Sequence, residues 1–136
     1  MIRIRLAAAL ALIVPLGLAT KSYAGPGARF VGGALGGVLY EVFWIFAALF
    51  AAPRWRPARV GAAVFLATCA LEAAQLWHPP FLERARATPF GDALLGSTFS
   101  VSDFAGYAAG TLLGVGLARA LGCGRASLQP AGAGRV

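Results

Sequence analysis

The sequence predicts an all-α protein, a four-helix transmembrane bundle with a short interfacial helix or re-entrant segment between helices 3 and 4. Three observations predict it. Of 136 residues, 59% are hydrophobic and only 12% are charged, about half the charged share of a soluble domain, so too few polar side chains remain to coat a water-soluble globule. Four stretches approach or exceed the roughly 20 apolar residues with which a helix crosses about 30 Å of hydrocarbon. The basic residues fall between those stretches, loop after loop. The same composition excludes a disordered chain, a collagen-like repeat and a disulfide scaffold: apolar content is high, the 18 glycines follow no triplet, and there are two cysteines.

The first span covers residues 4–20. Arg3 and Arg5, the apolar run 6–19 and Ser22-Tyr23-Ala24 before Gly25 also resemble a signal peptide. Retention is favoured because Pro15 and Gly17 sit where a transmembrane helix tolerates them. The second span, residues 30–52, carries Gly33 and Gly37 at a step of four, and Glu41 continues that face. The third, residues 58–78, places Thr68, Glu72 and Gln75 on one side; Trp77 and His78 end it where an aromatic belt belongs. Residues 79–100 form the one long connection, with Phe81, Leu82, Phe90 and Leu94 recurring through it and Pro79-Pro80 suited to a helix start. The fourth span, residues 101–121, repeats glycine at Gly106, Gly110 and Gly114, a helix-packing face that a homodimer can also use. Residues 1–122 thus form a single transmembrane domain, and residues 123–136 read as a disordered cytoplasmic tail.

Eight basic residues lie on the side of the termini and four on the other, which by the positive-inside rule puts both termini in the cytoplasm. This distribution also accounts for the net charge of +7 without nucleic acid, whose binding needs a gathered basic stripe.

Acids at membrane depth are costly, about 2.5–3.5 kcal/mol at a helix centre, so they are usually buried and functional. Glu41 and Glu72 are two. Asp103 opens the fourth span, where Ser100-Val-Ser-Asp103 matches a capping box with Asp in place of the usual Glu. Arg84 and Arg86 of the outer connection are long enough to meet Glu72 or Asp103, and an arginine there suits an anionic headgroup. The chain has no phosphate loop or nucleophile elbow, so no catalytic residue is assigned; the sole histidine and two separated cysteines give no metal site and no cofactor. An outer-face hydrolase using His78 is the minor reading.

Several segments resemble a known family: Gly17-Leu18 followed by a basic residue, Gly32 to Tyr40, Glu72-Ala-Ala-Gln75-Leu76, Arg86-Ala-Thr88, Leu95-Gly96-Ser97-Thr98-Phe99, and Ser102-Asp103-Phe104-Ala105-Gly106-Tyr107 with Gly110. They are similar to the small bacterial membrane proteins called domain of unknown function 2809, over residues 17–116. One departure stands out: where that family has Gly-Asp before an aromatic residue, Gly36-Gly37-Val38-Leu39-Tyr40 lacks the acid, and Glu41 offers a carboxylate instead. More distantly, Glu72-x-x-Gln75 followed by an outer arginine and an acid opening a glycine-rich helix is similar to VanZ-like proteins. That resemblance implies a cell-envelope role.

The expectation is therefore a multi-pass bacterial inner-membrane protein. Its outward-facing polar site is built from Glu72, Gln75, Arg86 and Asp103 and binds a membrane lipid, anionic or lipid-linked. The alternative is a small transporter or proton-coupled subunit, with Glu41 and Glu72 as its protonatable groups.

Overall fold

A computed structural model describes residues 1–96 and 99–125, all of whose regular structure is helical. Ser97 and Thr98, part of a motif quoted above, and residues 126–136, most of the expected tail, lie outside the described residues. Four long helices are α1 (Ile2–Ser22), α2 (Ala28–Ala51), α3 (Pro57–Ala74) and α6 (Val101–Ala120), each long and apolar enough to cross a membrane. Between α3 and α6 lie two short helices, α4 (Pro80–Arg86) and α5 (Pro89–Leu95), where the sequence predicts one. Thr88 separates them: it precedes Pro89, its side chain caps α5 by accepting the Gly91 N–H at 3.0 Å, and Pro89 opens the new helix.

Helix α3 ends four residues before the predicted position. Past Gln75 the bonds shorten to i→i−3, with Leu76 N–H on the Ala73 carbonyl and Trp77 N–H on that of Ala74, and Pro79 disfavours helical backbone at His78. Helix α2 departs from regularity as well. Over Val31–Leu35 it widens into a π turn, in which the Gly36 N–H reaches back five residues to the Val31 carbonyl. Such turns are rare and concentrate at functional sites.

Helices α2 and α6 form the most extensive contact of the bundle, with α1 packed on α2 and α3 on α6. Their close approach rests on the spaced glycines. A Cβ on Gly106 would stand 2.9 Å from the Ala34 carbonyl, and one on Gly114 2.8 Å from Ile45 Cδ1. Gly37 faces the Tyr107 ring and the Gly106 Cα. The glycine faces therefore pack on one another within the chain.

The two ends of the bundle differ in chemistry. At one end Arg5 Nη1 donates to the Leu121 carbonyl at 3.2 Å, bringing the start of α1 to the end of α6. There Leu6, Leu49, Val60, Ala118 and Cys123 make the apolar core, so α1 packs as a full member of the bundle. Helix α6 closes with paired bonds, Gly122 N–H to Arg119 and Cys123 N–H to Ala118, around a left-handed Gly122. At the opposite end the buried groups are polar, and α4 and α5 cover them. The flanks carry exposed Ile4, Leu12, Leu66 and Leu112, the apolar exterior of a membrane protein.

Candidate functional site

Under α5 lies a cavity of about 130 Å³. Its polar wall consists of Lys21 of α1, Tyr40 of α2, Thr68 and Gln75 of the α3 face, and Asp103 and Tyr107 of α6; the glycines of the π turn form its floor. Gly33 is one of them, and a Cβ there would lie 3.5 Å from Asp103 Oδ1.

Glu72, expected in this site, stands directly behind it. It is 1% exposed, accepts the Tyr107 hydroxyl on Oε2 at 2.9 Å, and accepts the Ser100 backbone N–H on Oε1 at 2.7 Å. Ser100 is the N-cap of α6, and in a capping box its N–H is taken by the acid three residues on. Here Glu72 takes it from a neighbouring helix. The expected box is therefore not formed: the Ser100 side chain contacts Ser102 instead, at 2.7 Å, and the Asp103 carboxylate is left facing the cavity with no hydrogen bond among the described residues.

Arg86 requires correction. It is 8% exposed, but it reaches neither Glu72 nor Asp103. Its Nη2 donates to the Ala74 carbonyl and Nη1 to that of Trp77, both at 3.0 Å, and Nη1 also meets Glu83 Oε1 at 2.9 Å. A helix C-terminus leaves carbonyls short of partners; the guanidinium of α4 is a second donor to Ala74, beside the Trp77 N–H, and supplies a donor to Trp77 just past the end of α3. Arg86 locks α4 onto the bundle and takes no part in the cavity. Its replacement by alanine should therefore cost about 1–3 kcal/mol of stability, because the buried guanidinium is lost, the Trp77 carbonyl is left without its donor and the Ala74 carbonyl keeps only the Trp77 N–H. Lipid retained per folded molecule should not change, as denaturant titration and native mass spectrometry of the purified protein will report.

On the surface of α4, Glu83 accepts from His78 Nδ1 at 2.9 Å as well as from Arg86. Its carboxyl is held below the usual glutamate range, first by the His78 hydrogen bond and then by that of Arg86. His78 is thus engaged with Glu83, away from Asp103.

Glu41 is fully buried, against α6. Gly110 faces its Cβ, and its Oε1 lies 2.9 Å from the Thr111 hydroxyl, which is also 2.8 Å from the Tyr107 carbonyl. A hydroxyl has one proton, so both contacts are hydrogen bonds together only when the Glu41 carboxyl is the second donor. Neither Glu41 nor Glu72 is among the residues that line this cavity.

The cavity roof is tied to three helices. The last carbonyls of α5 accept from one side chain each: Ala93 from Lys21 Nζ at 3.5 Å, Leu94 from Tyr40 at 2.6 Å, and Leu95 from Gln75 Nε2 at 3.0 Å. Gly96 follows in a left-handed conformation (φ 67°) and lies against the Gln75 amide, which a Cβ would strike.

Beside the cavity, an apolar groove of about 360 Å³ runs between α1 and α2, lined by Ile13, Val14, Leu18, Leu39 and Phe43, with Phe90 of α5 over its end. Cavity and groove share Lys21, Gly36, Tyr40, Ala93 and Leu94 as common wall. Lys21, Tyr40 and Tyr107 were not assigned to the site from the sequence, although both tyrosines fall in the family segments quoted above. Lys21 reads there as a loop charge, and only its place one turn past Gly17 on an otherwise apolar helix hints at a cavity role.

Comparison with curated proteins and with solved structures finds no match. A family model does match, described as a protein of unknown function and designated DUF2809, over residues 27–111, from the start of α2 to Thr111 of α6. That is well over half of the chain and includes every cavity helix except α1; the chain belongs to the DUF2809 family.

Proposed function

We propose that this protein is a non-enzymatic lipid-binding protein of the bacterial inner membrane, with the cavity facing outward, the headgroup seated in it and one acyl chain in the groove between α1 and α2. The observation that carries this reading is the common wall: a small polar chamber opens beside an apolar channel at one end of a bundle whose flanks are apolar. An amphiphile has that division of chemistry. Sites for small ligands combine an apolar lining with a few convergent polar groups, and the cavity and groove together have both. Glu72, Gln75 and Asp103 also carry the VanZ-like resemblance, which is in keeping with an envelope role.

The test follows the acyl chain and is independent of headgroup. Phospholipids carrying a diazirine in one acyl chain, with either an ethanolamine or a glycerol headgroup, are reconstituted with the protein, irradiated and mapped by mass spectrometry. Adducts should concentrate on Val14, Leu18, Leu39 and Phe43, and Val14→Trp, which fills the groove, should remove most of them. Adducts spread evenly over the exposed faces of α3 and α6 as well would overturn the reading.

A further inference from the structure

The hydrogen-bond inventory of the cavity wall has a sign. Every hydroxyl there has spent its proton: Tyr40 donates to Leu94, Tyr107 to Glu72 and Thr68 to Phe65. The Gln75 amide has spent an N–H on Leu95. Beside the second Gln75 N–H and the free N–H groups of Lys21 at the rim, what remains open among the described residues is acceptor capacity. Among the described residues Gln75 Oε1 is buried without a partner on a side chain 7% exposed, and the Asp103 carboxylate faces the same space unbonded. Buried acceptors left unfilled are costly, so the group that completes this wall is a donor. The one cation of the wall, Lys21, sits at the rim where cavity and groove meet.

Resting on the lipid reading, we infer that the cavity selects a phospholipid with a primary-amine headgroup. The ammonium inserts between Asp103 and Gln75 Oε1, the phosphate stays at the rim beside Lys21, and the acyl chain follows the groove. Charges match one for one, since a zwitterion brings a cation to the carboxylate and an anion to the lysine. The volume of about 130 Å³ holds an aminoethyl arm, being that of roughly four waters at ~30 Å³ each. An anionic headgroup with hydroxyls reaches the same acceptors through neutral donors and brings no cation to the Asp103 carboxylate. A trimethylated amine has no N–H at all. This replaces the anionic headgroup expected when Arg86 was placed in the site.

The experiment measures retained lipid by native mass spectrometry after reconstitution in equimolar phosphatidylethanolamine, its N-trimethylated form phosphatidylcholine, and phosphatidylglycerol, all with identical acyl chains. The ethanolamine lipid should be enriched about fivefold or more over each of the others, and Asp103→Asn should abolish that preference while the groove adducts of the cross-linking experiment persist. The Asp103 side chain holds no other group among the described residues, so the variant is expected to fold; helical circular dichroism and the elution volume check this. Equal retention of the three lipids with groove adducts intact would overturn the amine assignment alone. A preference for phosphatidylglycerol would overturn it as well. Absence of both retention and groove adducts would overturn the lipid reading beneath it.

Discussion

Replacement of Gly110 by leucine is expected to separate α2 from α6 and cause the largest loss of stability of any single substitution in the bundle. A Cβ at this position would stand 2.7 Å from Glu41 Cβ, 2.8 Å from the Val38 carbonyl and 2.9 Å from the Val38 Cα. Two of these neighbours are backbone, so no rotamer change relieves the overlap and the helices must move apart. Overpacking of a tight interior costs about 1–3 kcal/mol, and leucine here belongs at or beyond the top of that range. Gly116 is the control, exposed on the same helix with nothing within 4 Å of its added Cβ; leucine there should change stability by less than about 0.5 kcal/mol. Denaturant unfolding in detergent micelles measures both. Equal behaviour of the two variants would show that the α2–α6 contact is not held by glycine.

The second large effect is expected at Glu72. Glu72→Leu deprives the Tyr107 hydroxyl and the Ser100 N–H of their acceptor, both in the covered part of the bundle. Hydrogen bonds inside membrane proteins are worth about 0.6 kcal/mol on average and at most about 1.7, so the two together place the loss at about 1–3 kcal/mol. Glu72→Gln should fall between, because an amide keeps one acceptor oxygen and turns a donor toward the other partner. Adding Tyr107→Phe to Glu72→Leu should restore part of the loss, since the orphaned hydroxyl is then gone. In hydrogen exchange, the Ser100 amide should lose protection in Glu72→Leu. Additive behaviour of the double variant would deny the Glu72–Tyr107 bond its role.

The four long helices were legible because membrane crossing imposes a length of apolar sequence that few other constraints imitate, and their ends moved by at most four residues. The faces of Gly33, Gly37, Gly106, Gly110 and Gly114 were legible too, since a step of four keeps residues on one side of a helix. Asp103 was read as a cap because the pattern Ser-x-x-Asp is local; that Glu72 does the same task from another helix is a tertiary fact. Arg86 was drawn to the acids by charge alone. The carbonyls of Ala74 and Trp77, which compete for it, exist only once α3 has ended, and a sequence does not display them. The π turn of α2 has no signature beyond its paired glycines. Tyr40 and Tyr107 stood in family segments with nothing local to show that they face a cavity, and Lys21 was hidden among the loop charges.

The three carbonyls at the end of α5 carry a mechanical consequence. Lys21, Tyr40 and Gln75 come from three different long helices and converge on Ala93, Leu94 and Leu95. Three attachment points fix a rigid body, so sliding or tilting any one of these helices against the other two must stretch or break a bond to α5. Displacements that carry all three together stretch none of them. A seven-residue segment thereby acts as a gauge block for helices three times its length, tolerating their common motion and resisting their relative motion.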